Sequence, residues 1–267
     1  MHTRPRVPSG PRYGREEELS NVGVILDVES DAAVVTFDWP EKRNSLNPED
    51  ADQIVDAIEE AGRSDVGLVI VTGNGAFCSG GDLPAFAEIS ATHTPEQVRD
   101  TVYSRMQRII RAFQHCPLPT AAAVDGAAIG LGLDIALAAD MRFVGPRGWF
   151  RQGWANAGLI HGVGGIGLLR RLDGSLLWRL LADQERIDAD LAAQLGLGEK
   201  AEPTALDAAR VRAAKLAAHP GHLLESYARL AREDWPSDGH FDTAADIQGQ
   251  LIGSAEFRAL TAQVLGK

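Results

Sequence analysis

The sequence predicts an α/β fold, and three observations lead to it. The chain has 267 residues, of which 45% are hydrophobic, and a single core forms at a length of about 250 residues. The short apolar run at 66–72 follows an amphipathic helical pattern, which is typical of a parallel strand–helix–strand unit. The pattern from residue 168 onward is almost wholly helical. We therefore expect one large α/β domain, or a main domain with a small appendage, that ends in helices.

The first elements form a hairpin followed by a helix. Residues 22–28 and 32–39 are β-branched runs separated by a short polar turn, which indicates an antiparallel pair. Asn47 is placed to cap a helix with Pro48 at its first position, and Gly62 ends that helix. The apolar run at 66–72 then predicts a strand that is buried on both faces.

The strand–helix alternation continues through the middle of the chain. A long helix begins at Thr94 and keeps its apolar period until Pro117. A strand at 120–124 follows, then a glycine-initiated helix at 130–139 and a strand at 141–144. These elements repeat the order of the first strand–helix–strand unit.

The ends of the chain differ from its centre. Residues 1–19 are rich in arginine and proline, and we interpret them as a flexible tail. Residues 20–200 form the predicted core. Residues 201–267 read as helices punctuated by proline and glycine, so we expect a C-terminal helical region there.

Charge and cysteine content exclude several functions. Lys plus Arg is 26 and Asp plus Glu is 37, giving a net charge of −11, and such a surface repels nucleic acid and anionic lipid. Two cysteines, Cys78 and Cys116, are too few for a disulfide framework and favour a reducing cytoplasm. No apolar run reaches the ~18 residues of a membrane span, and the first residues lack the apolar stretch of a signal peptide. We expect a cytoplasmic protein without nucleic-acid or membrane partners.

One glycine-rich segment matches a dinucleotide-binding pattern. Residues 162–167 satisfy G-x-G-x-x-G, which in an NAD-dependent dehydrogenase follows a buried strand and precedes a second strand that ends in an acid about 20 residues on. Here 154–160 is a weak strand and 176–182 is helical in pattern. We therefore favour glycine-assisted helix packing over NAD binding.

Two further glycine-bearing segments lie where a strand is followed by a helix. They are residues 76–83 and residues 125–134. The start of a helix leaves backbone N–H groups unpaired and partly positive, and glycine allows the main chain to approach a ligand closely. Two such N–H groups can bind one oxyanion. Taken singly, each segment is also compatible with an ordinary turn.

The order of these two segments, separated by a long helix, resembles the crotonase superfamily (enoyl-CoA hydratase/isomerase family). The resemblance extends from about Gly23 to Lys267 and is carried by residues 40–47, 71–73, 77–83, 123–126, 130–140 and 158–165. It implies a crotonase-like ββα spiral with a C-terminal helical region. It also implies assembly through residues 201–267 into a homotrimer or a homohexamer that is a dimer of trimers.

The resemblance implies chemistry on acyl-CoA thioesters. The N–H groups of Gly81 and Leu131 would polarise the thioester oxygen and stabilise the enolate formed on proton transfer, and such donors contribute about 2.7–4 kcal/mol each. The backbone near Ser79, Asp82 and Leu83 would hold the adenine. No metal or redox cofactor is implied, because coenzyme A is part of the substrate.

Four further side chains have two interpretations each. Lys42 and Arg43 either approach the coenzyme A phosphates or form a solvated surface pair. Trp149 and Trp154 either line an aromatic or polycyclic acyl site or belong to the core, where tryptophan is usually largely buried.

The expected acid/base residues depart from the family pattern. Asp134 stands where family hydratases carry the first of two catalytic glutamates, although an acid there could also stabilise its helix dipole. Trp154 occupies the position at which family hydratases carry the second catalytic glutamate, and an indole supplies neither an acid nor a base. His161 lies beside the expected acyl pocket and is a second catalytic candidate, or else makes a loop hydrogen bond.

Two functions follow from this pattern. The leading interpretation is an acyl-CoA enzyme with a non-standard acid/base set, in which Asp134 is kept and Trp154 replaces the second acid. Ordinary hydration of 2-enoyl-CoA needs one group to activate water and another to deliver the proton, so it is not expected to be efficient. The alternative is a catalytically silent acyl-CoA-binding protein that kept the oxyanion loops.

Overall fold

The computed structural model describes residues 23–266, so the predicted tail at 1–19 lies outside the described residues. The strands are β1 Val24–Val28, β2 Ala32–Phe37, β3 Leu68–Gly73, β4 Thr120–Val124, β5 Ala127–Ile129, β6 Met141–Val144, β7 Trp149–Arg151, β8 Ile187–Asp188 and β9 Glu199–Lys200. The α-helices are α1 Pro48–Ala61, α2 Leu83–Thr92, α3 Pro95–Gln97, α4 Ser104–His115, α5 Leu131–Ala138, α6 Gly165–Leu172, α7 Gly174–Asp183, α8 Ala189–Gln194, α9 Ala205–Ala217, α10 Gly221–Ala231, α11 Asp238–Ile252 and α12 Ala255–Leu265. A π-helical segment, Val98–Tyr103, joins α3 to α4, and single 3₁₀ turns form at Pro40–Lys42 and Ala155–Ala157. Within residues 23–266, no helix combines the length and the apolar character that crossing a membrane requires.

A six-stranded sheet in the order β1-β2-β3-β4-β6-β9 forms the centre of the fold. The β1–β2 pair is antiparallel, which confirms the predicted hairpin, and the other pairs are parallel. Neighbouring parallel strands end at the same edge of a sheet, and this edge is where α/β folds bind ligands. The loops after β3 and β4, which hold the two glycine-bearing segments, therefore leave the sheet side by side.

A second sheet, β5-β7-β8, lies next to these loops. Its strand β7, Trp149–Arg151, precedes the segment at 154–160 for which the sequence predicts a weak strand. That prediction is wrong, because the chain reverses at Gly153, where φ is +69°, and Trp154 N–H donates to the Gln152 carbonyl at 2.8 Å. A single 3₁₀ turn, Ala155–Ala157, follows in place of a strand.

The C-terminal helix α9 covers the large sheet. Three alanines spaced four apart on α9 (Ala205, Ala209 and Ala213) pack against one face of the large sheet, where they form a cluster with Leu68 and Ile70 of β3. The Asp125 carboxylate, just after β4, accepts hydrogen bonds from the first two N–H groups of α9. The predicted C-terminal helical region is thus confirmed as helical, and one of its helices belongs to the core of its own chain.

Candidate active site

A cavity of ≈ 440 Å³ opens where the two glycine-bearing loops, the turn after β7 and the end of α12 meet. Its apolar lining consists of Leu83, Pro84, Phe86, Ile129, Leu131, Trp154, Ala157, Leu159, Val264 and Leu265. Its polar rim includes Lys42, Arg43, Ser45, Ser79 and Asn156. Concave, mostly apolar sites with a few polar groups are typical of small-molecule binding.

The backbone brings Gly81 and Leu131 to this one cavity. Two hydrogen bonds join the loops that carry them, because Cys78 N–H donates to Ala127 O and Ile129 N–H donates to Cys78 O, both at 3.0 Å. Leu131 is the first residue of α5, where a helix leaves its N–H without an intrahelical acceptor. Among residues 23–266, the backbone N–H groups of Gly81 and Leu131 have no hydrogen-bond acceptor. Two residues with free N–H donors thus line one cavity.

Asp134 lies deep beside the cavity rather than in its lining. The side chain is 0% exposed, and both of its oxygens are occupied. The Trp154 indole N–H donates to Oδ2 at 3.0 Å, and His161 Nδ1 lies 2.6 Å from Oδ1. Since Trp154 does line the cavity, its indole stands between the cavity and the carboxylate.

His161 continues this buried cluster away from the cavity. It is 2% exposed, and its Nε2 lies 3.2 Å from Gln152 Nε2. Gln152 Oε1 in turn accepts from Ala155 N–H at 3.2 Å and from Gln184 Nε2 at 2.7 Å. The structure thus brings the two predicted catalytic residues together, and neither of them lines the cavity.

Sequence reasoning missed Gln152 and Gln184. Gln152 lies only two residues before Trp154, but a glutamine has no distinctive pattern that would mark it as part of a site. Gln184 stands at the end of α7 in the left-handed conformation, with φ of +48°. Its contact with Gln152 spans 32 positions in the sequence, which no local signal reveals.

The residues predicted to hold coenzyme A differ in whether they line the cavity and in the partners of their side chains. Ser79 and Leu83 line the cavity. Lys42 also borders it, but its Nζ is 2.6 Å from an Asp50 carboxylate oxygen and 4.9 Å from the centre of the Trp39 ring. The Asp82 side chain points to its own helix and accepts weakly from Ala85 N–H at 3.4 Å, as the N-cap of α2.

The other tryptophan considered for the acyl site is placed elsewhere. Trp149 lies in β7, outside the cavity lining, and the guanidinium of Arg186 stacks on its ring at 4.6 Å. Of the two interpretations given for Trp149, lining of this cavity does not hold. Trp154 alone of the two reaches the cavity.

Two other buried groups near the site are held in their neutral forms. Burial raises the pKa of the Cys78 thiol to about 12. Burial also raises the pKa of Tyr103, whose hydroxyl accepts a hydrogen bond from Gln248 Nε2 at 2.7 Å. Neither group supplies an anion near neutral pH.

The glycines at 162–167 serve packing. A Cβ on Gly162 would lie 2.5 Å from the Tyr103 ring, and a Cβ on Gly165 would lie 2.0 Å from Asp134 Oδ1. The segment follows a 3₁₀ turn, and the helix α7 occupies the place where a dinucleotide fold needs its second strand. The packing interpretation is confirmed.

Comparison with known proteins decides the family. The family model described as Enoyl-CoA hydratase/isomerase matches residues 27–239. The chain belongs to the enoyl-CoA hydratase/isomerase family. It is therefore an enzyme of the enoyl-CoA hydratase family, with the crotonase fold that the resemblance implies.

Individual relatives agree with this assignment. The chain is 37% identical over 207 residues to "Probable enoyl-CoA hydratase EchA14" of Mycobacterium tuberculosis (strain ATCC 25618 / H37Rv), covering 75% of this chain and 78% of that protein. It is 29% identical over 215 residues to "2,3-dehydroadipyl-CoA hydratase" of Escherichia coli (strain K12), covering 79% and 82%. An enoyl-CoA hydratase structure from Bacillus halodurans superposes with a TM-score of 0.82 at 20% identity, covering 90% of this chain and 99% of that one, which shows the fold.

Proposed function

We propose that this member of the enoyl-CoA hydratase/isomerase family acts on an acyl-CoA, with the thioester oxygen held by the N–H groups of Gly81 and Leu131. The observation that carries the proposal is that Gly81 and Leu131, whose N–H groups have no acceptor among residues 23–266, both line one mostly apolar cavity. Negative charge collects on that oxygen when a proton leaves the α-carbon, and two preorganised donors stabilise it. The relatives named as a probable enoyl-CoA hydratase and a 2,3-dehydroadipyl-CoA hydratase support an acyl-CoA substrate.

The rim of the cavity supplies the groups for coenzyme A. In this proposal, Ser79 and Leu83 contact the adenine, as does the backbone at Asp82. Arg43 borders the cavity and has no carboxylate partner among residues 23–266, so it is the cation best placed for the phosphates. Lys42 binds a coenzyme A phosphate only if its ammonium group leaves the Asp50 carboxylate.

Asp134 is the proposed base, assisted by His161. The indole of Trp154 occupies Oδ2 and stands on the cavity side of the carboxylate. Proton transfer between the substrate and Asp134 therefore requires the indole to swing away from that oxygen. His161 acts through Asp134, because it lies outside the cavity lining and its Nδ1 contacts Oδ1.

The second candidate function is acyl-CoA binding without catalysis. The observation that favours it is the full burial of Asp134, both of whose oxygens are hydrogen-bonded. If the indole keeps its place when ligand is bound, the oxyanion donors polarise the thioester but no base reaches the α-carbon.

A pair of variants tests the oxyanion donors. Leu131→Pro removes the N–H at the first position of α5, where proline is compatible with a helix, whereas Leu131→Ala shortens the side chain and keeps the N–H. Cinnamoyl-CoA is the probe, because its absorbance moves to longer wavelength when the carbonyl is polarised. Wild type and Leu131→Ala should show the shift on binding, and Leu131→Pro should not. An equal shift in Leu131→Pro would contradict the assignment.

Exchange of the α-protons separates catalysis from binding alone. Wild-type enzyme in D₂O should exchange the α-protons of butyryl-CoA, followed by NMR, and Asp134→Asn should abolish the exchange. A cinnamoyl-CoA shift without exchange in wild type would establish the binding-only function. Absence of binding by any acyl-CoA or by free coenzyme A, measured by calorimetry, would remove both candidates.

Hydration of crotonyl-CoA should be slow in the wild type. General acid/base catalysis contributes about 10²–10⁴-fold per group, and Trp154 replaces the second of the two acids in the family pattern. A kcat well above about 10 s⁻¹, the median for enzymes, would show that Trp154 does not replace an essential acid.

A further inference from the structure

A chain of hydrogen bonds runs from the partly buried Gln184, at the end of α7, to the buried Asp134 carboxylate. The side-chain nitrogen of Gln184 lies 3.2 Å from Leu180 O, 3.0 Å from Leu181 O and 2.7 Å from Gln152 Oε1. All three neighbours are acceptors. Exchanging the amide oxygen and nitrogen would place an oxygen against all of them, so the orientation of this amide is fixed.

The orientation of the Gln152 side-chain amide is also fixed, by two hydrogen-bond donors. Its Oε1 accepts from Gln184 Nε2 and from the backbone N–H of Ala155, a donor that cannot reverse. Its Nε2 therefore points at His161 Nε2, at 3.2 Å. A primary amide nitrogen only donates, so His161 Nε2 must offer a lone pair, and the single ring proton lies on Nδ1.

The Asp134 carboxylate is the last acceptor in this series of hydrogen bonds. His161 Nδ1–H donates to Oδ1 over 2.6 Å, and the Trp154 indole, which can only donate, occupies Oδ2. Both oxygens thus act as acceptors, which is the arrangement of an ionised carboxylate. Gly165, the first residue of α6, lies directly against Oδ1, and the positive end of a helix favours an anion there.

We propose that Gln184 and Gln152 are positioning residues: they hold His161 as the neutral imidazole protonated on Nδ1, and thereby hold Asp134 as the ionised base. The catalytic consequence rests on the proposed function, whereas the protonation pattern does not. In this arrangement the single ring proton of His161 is donated to Asp134 and is not delivered to a substrate. It orients Asp134 and stabilises its charge.

The test is the ¹⁵N NMR spectrum of the ring nitrogens of the histidines in ligand-free protein. The chain has 7 histidines, and the spectrum of His161→Gln identifies the signals that belong to His161. In the wild type, Nδ1 should have the chemical shift of a protonated nitrogen and Nε2 that of a bare one. A protonated Nε2 in wild type would overturn the proposal, whatever any variant does.

Gln152→Glu is the sharpest variant, because it keeps the shape and removes the donor. One carboxylate oxygen still accepts from Ala155 and Gln184, and the other faces His161 Nε2, which must then carry a proton taken up from solvent. Both ring nitrogens of His161 should become protonated. Gln97→Glu is the control: Gln97 is exposed, and its side chain accepts from Thr94 N–H, which glutamate also does. Unchanged His161 signals in folded Gln152→Glu would contradict the proposal.

The functional readout separates this inference from the proposed function. Gln152 lies outside the cavity lining, so Gln152→Glu should leave the Kd for butyryl-CoA unchanged. The rate of α-proton exchange should fall by about tenfold or more, since the base is then paired with an imidazolium. Equal loss of binding and exchange would indicate a merely structural role and overturn the positioning assignment. If the wild type binds acyl-CoA but exchanges nothing, the proposed catalysis fails while the NMR result on His161 still decides the protonation pattern.

Discussion

Trp154 connects the cavity with the buried acid, because it lines the cavity and its indole N–H donates to Asp134 Oδ2. The sequence places an indole where the family pattern has a second glutamate, and it places Asp134 on the helix after the oxyanion donor. It cannot show that the indole N–H donates to that same aspartate, because the two residues are 20 positions apart and their contact depends on side-chain rotamers. The sequence therefore indicates these two residues as candidates for the site, but the hydrogen bond between them is not predictable from it.

Replacing Trp154 with phenylalanine should destabilise the protein measurably. The variant keeps an aromatic wall but leaves Oδ2 of a buried carboxylate without its donor, and an unsatisfied buried charged group costs about 1–3 kcal/mol or more. The free energy of unfolding, measured with urea, should fall by this amount. Trp178→Phe is the control, because Trp178 is 68% exposed and should change stability by less than about 0.5 kcal/mol. Equal effects of the two substitutions would contradict the hydrogen bond to Asp134.

Alkaline pH should weaken the fold through buried neutral acids. Burial raises the pKa of the Cys78 thiol from its ordinary value of 9.0 to about 12, so the unfolded chain loses this proton first. The stabilisation by the neutral thiol is fully present below about pH 9 and is lost as the pH rises toward 12, by at most about 1.36 kcal/mol per pH unit. Tyr103 and Cys116 are shifted in the same direction. Urea unfolding between pH 8 and 10.5 measures the decline, and Cys78→Ala should make it shallower; an identical slope in the variant would refute the assignment to Cys78.

At the scale of elements, local patterns predicted the parallel strands and their loops. The runs at 66–72 and 120–124 have the composition of strands buried on both faces, and the structure pairs them as β3 and β4. The small sheet β5-β7-β8 was not predictable, because its strands have only two or three residues each and pair across long separations. The same applies to α9, whose alanine stripe does not reveal which face of the sheet it covers.

The start of α6 tolerates no side chain at Gly165. A Cβ there would lie 2.0 Å from Asp134 Oδ1 and 2.7 Å from His161 Nδ1, so Gly165→Ala forces the buried pair apart. Overpacking of this kind costs about 1–3 kcal/mol, and the His161 ring signals should shift as well. Gly174→Ala, at the start of α7, meets nothing within 4 Å and should be neutral or slightly stabilising. Thermal unfolding of the two variants measures the difference, and similar stabilities would argue against close packing at Gly165.

At the scale of the whole molecule, exposed apolar side chains on the C-terminal helix α10 indicate a surface for assembly. Helix α10 buries Leu224 and Ala228 against its own chain. An adjacent face of the helix carries Leu223, Tyr227 and Leu230, spaced by four and three residues, and Tyr227 and Leu230 are 69% and 58% exposed. An apolar stripe with helical spacing on the outer side of a helix is typical of a surface that another chain covers.

We predict that this stripe on α10 packs against further copies of the chain in a homotrimer or a dimer of trimers. Light scattering at micromolar concentration should give three or six times the chain mass of 28.6 kDa. The double variant Tyr227→Glu/Leu230→Glu should reduce the mass toward a single chain, because charges would have to be buried in the interface. Val28→Glu is the control, since Val28 is comparably exposed but lies in the β1–β2 hairpin. A wild-type mass of one chain would refute assembly itself, whereas an intact oligomer in the double variant would refute the role of α10 and leave assembly to another face.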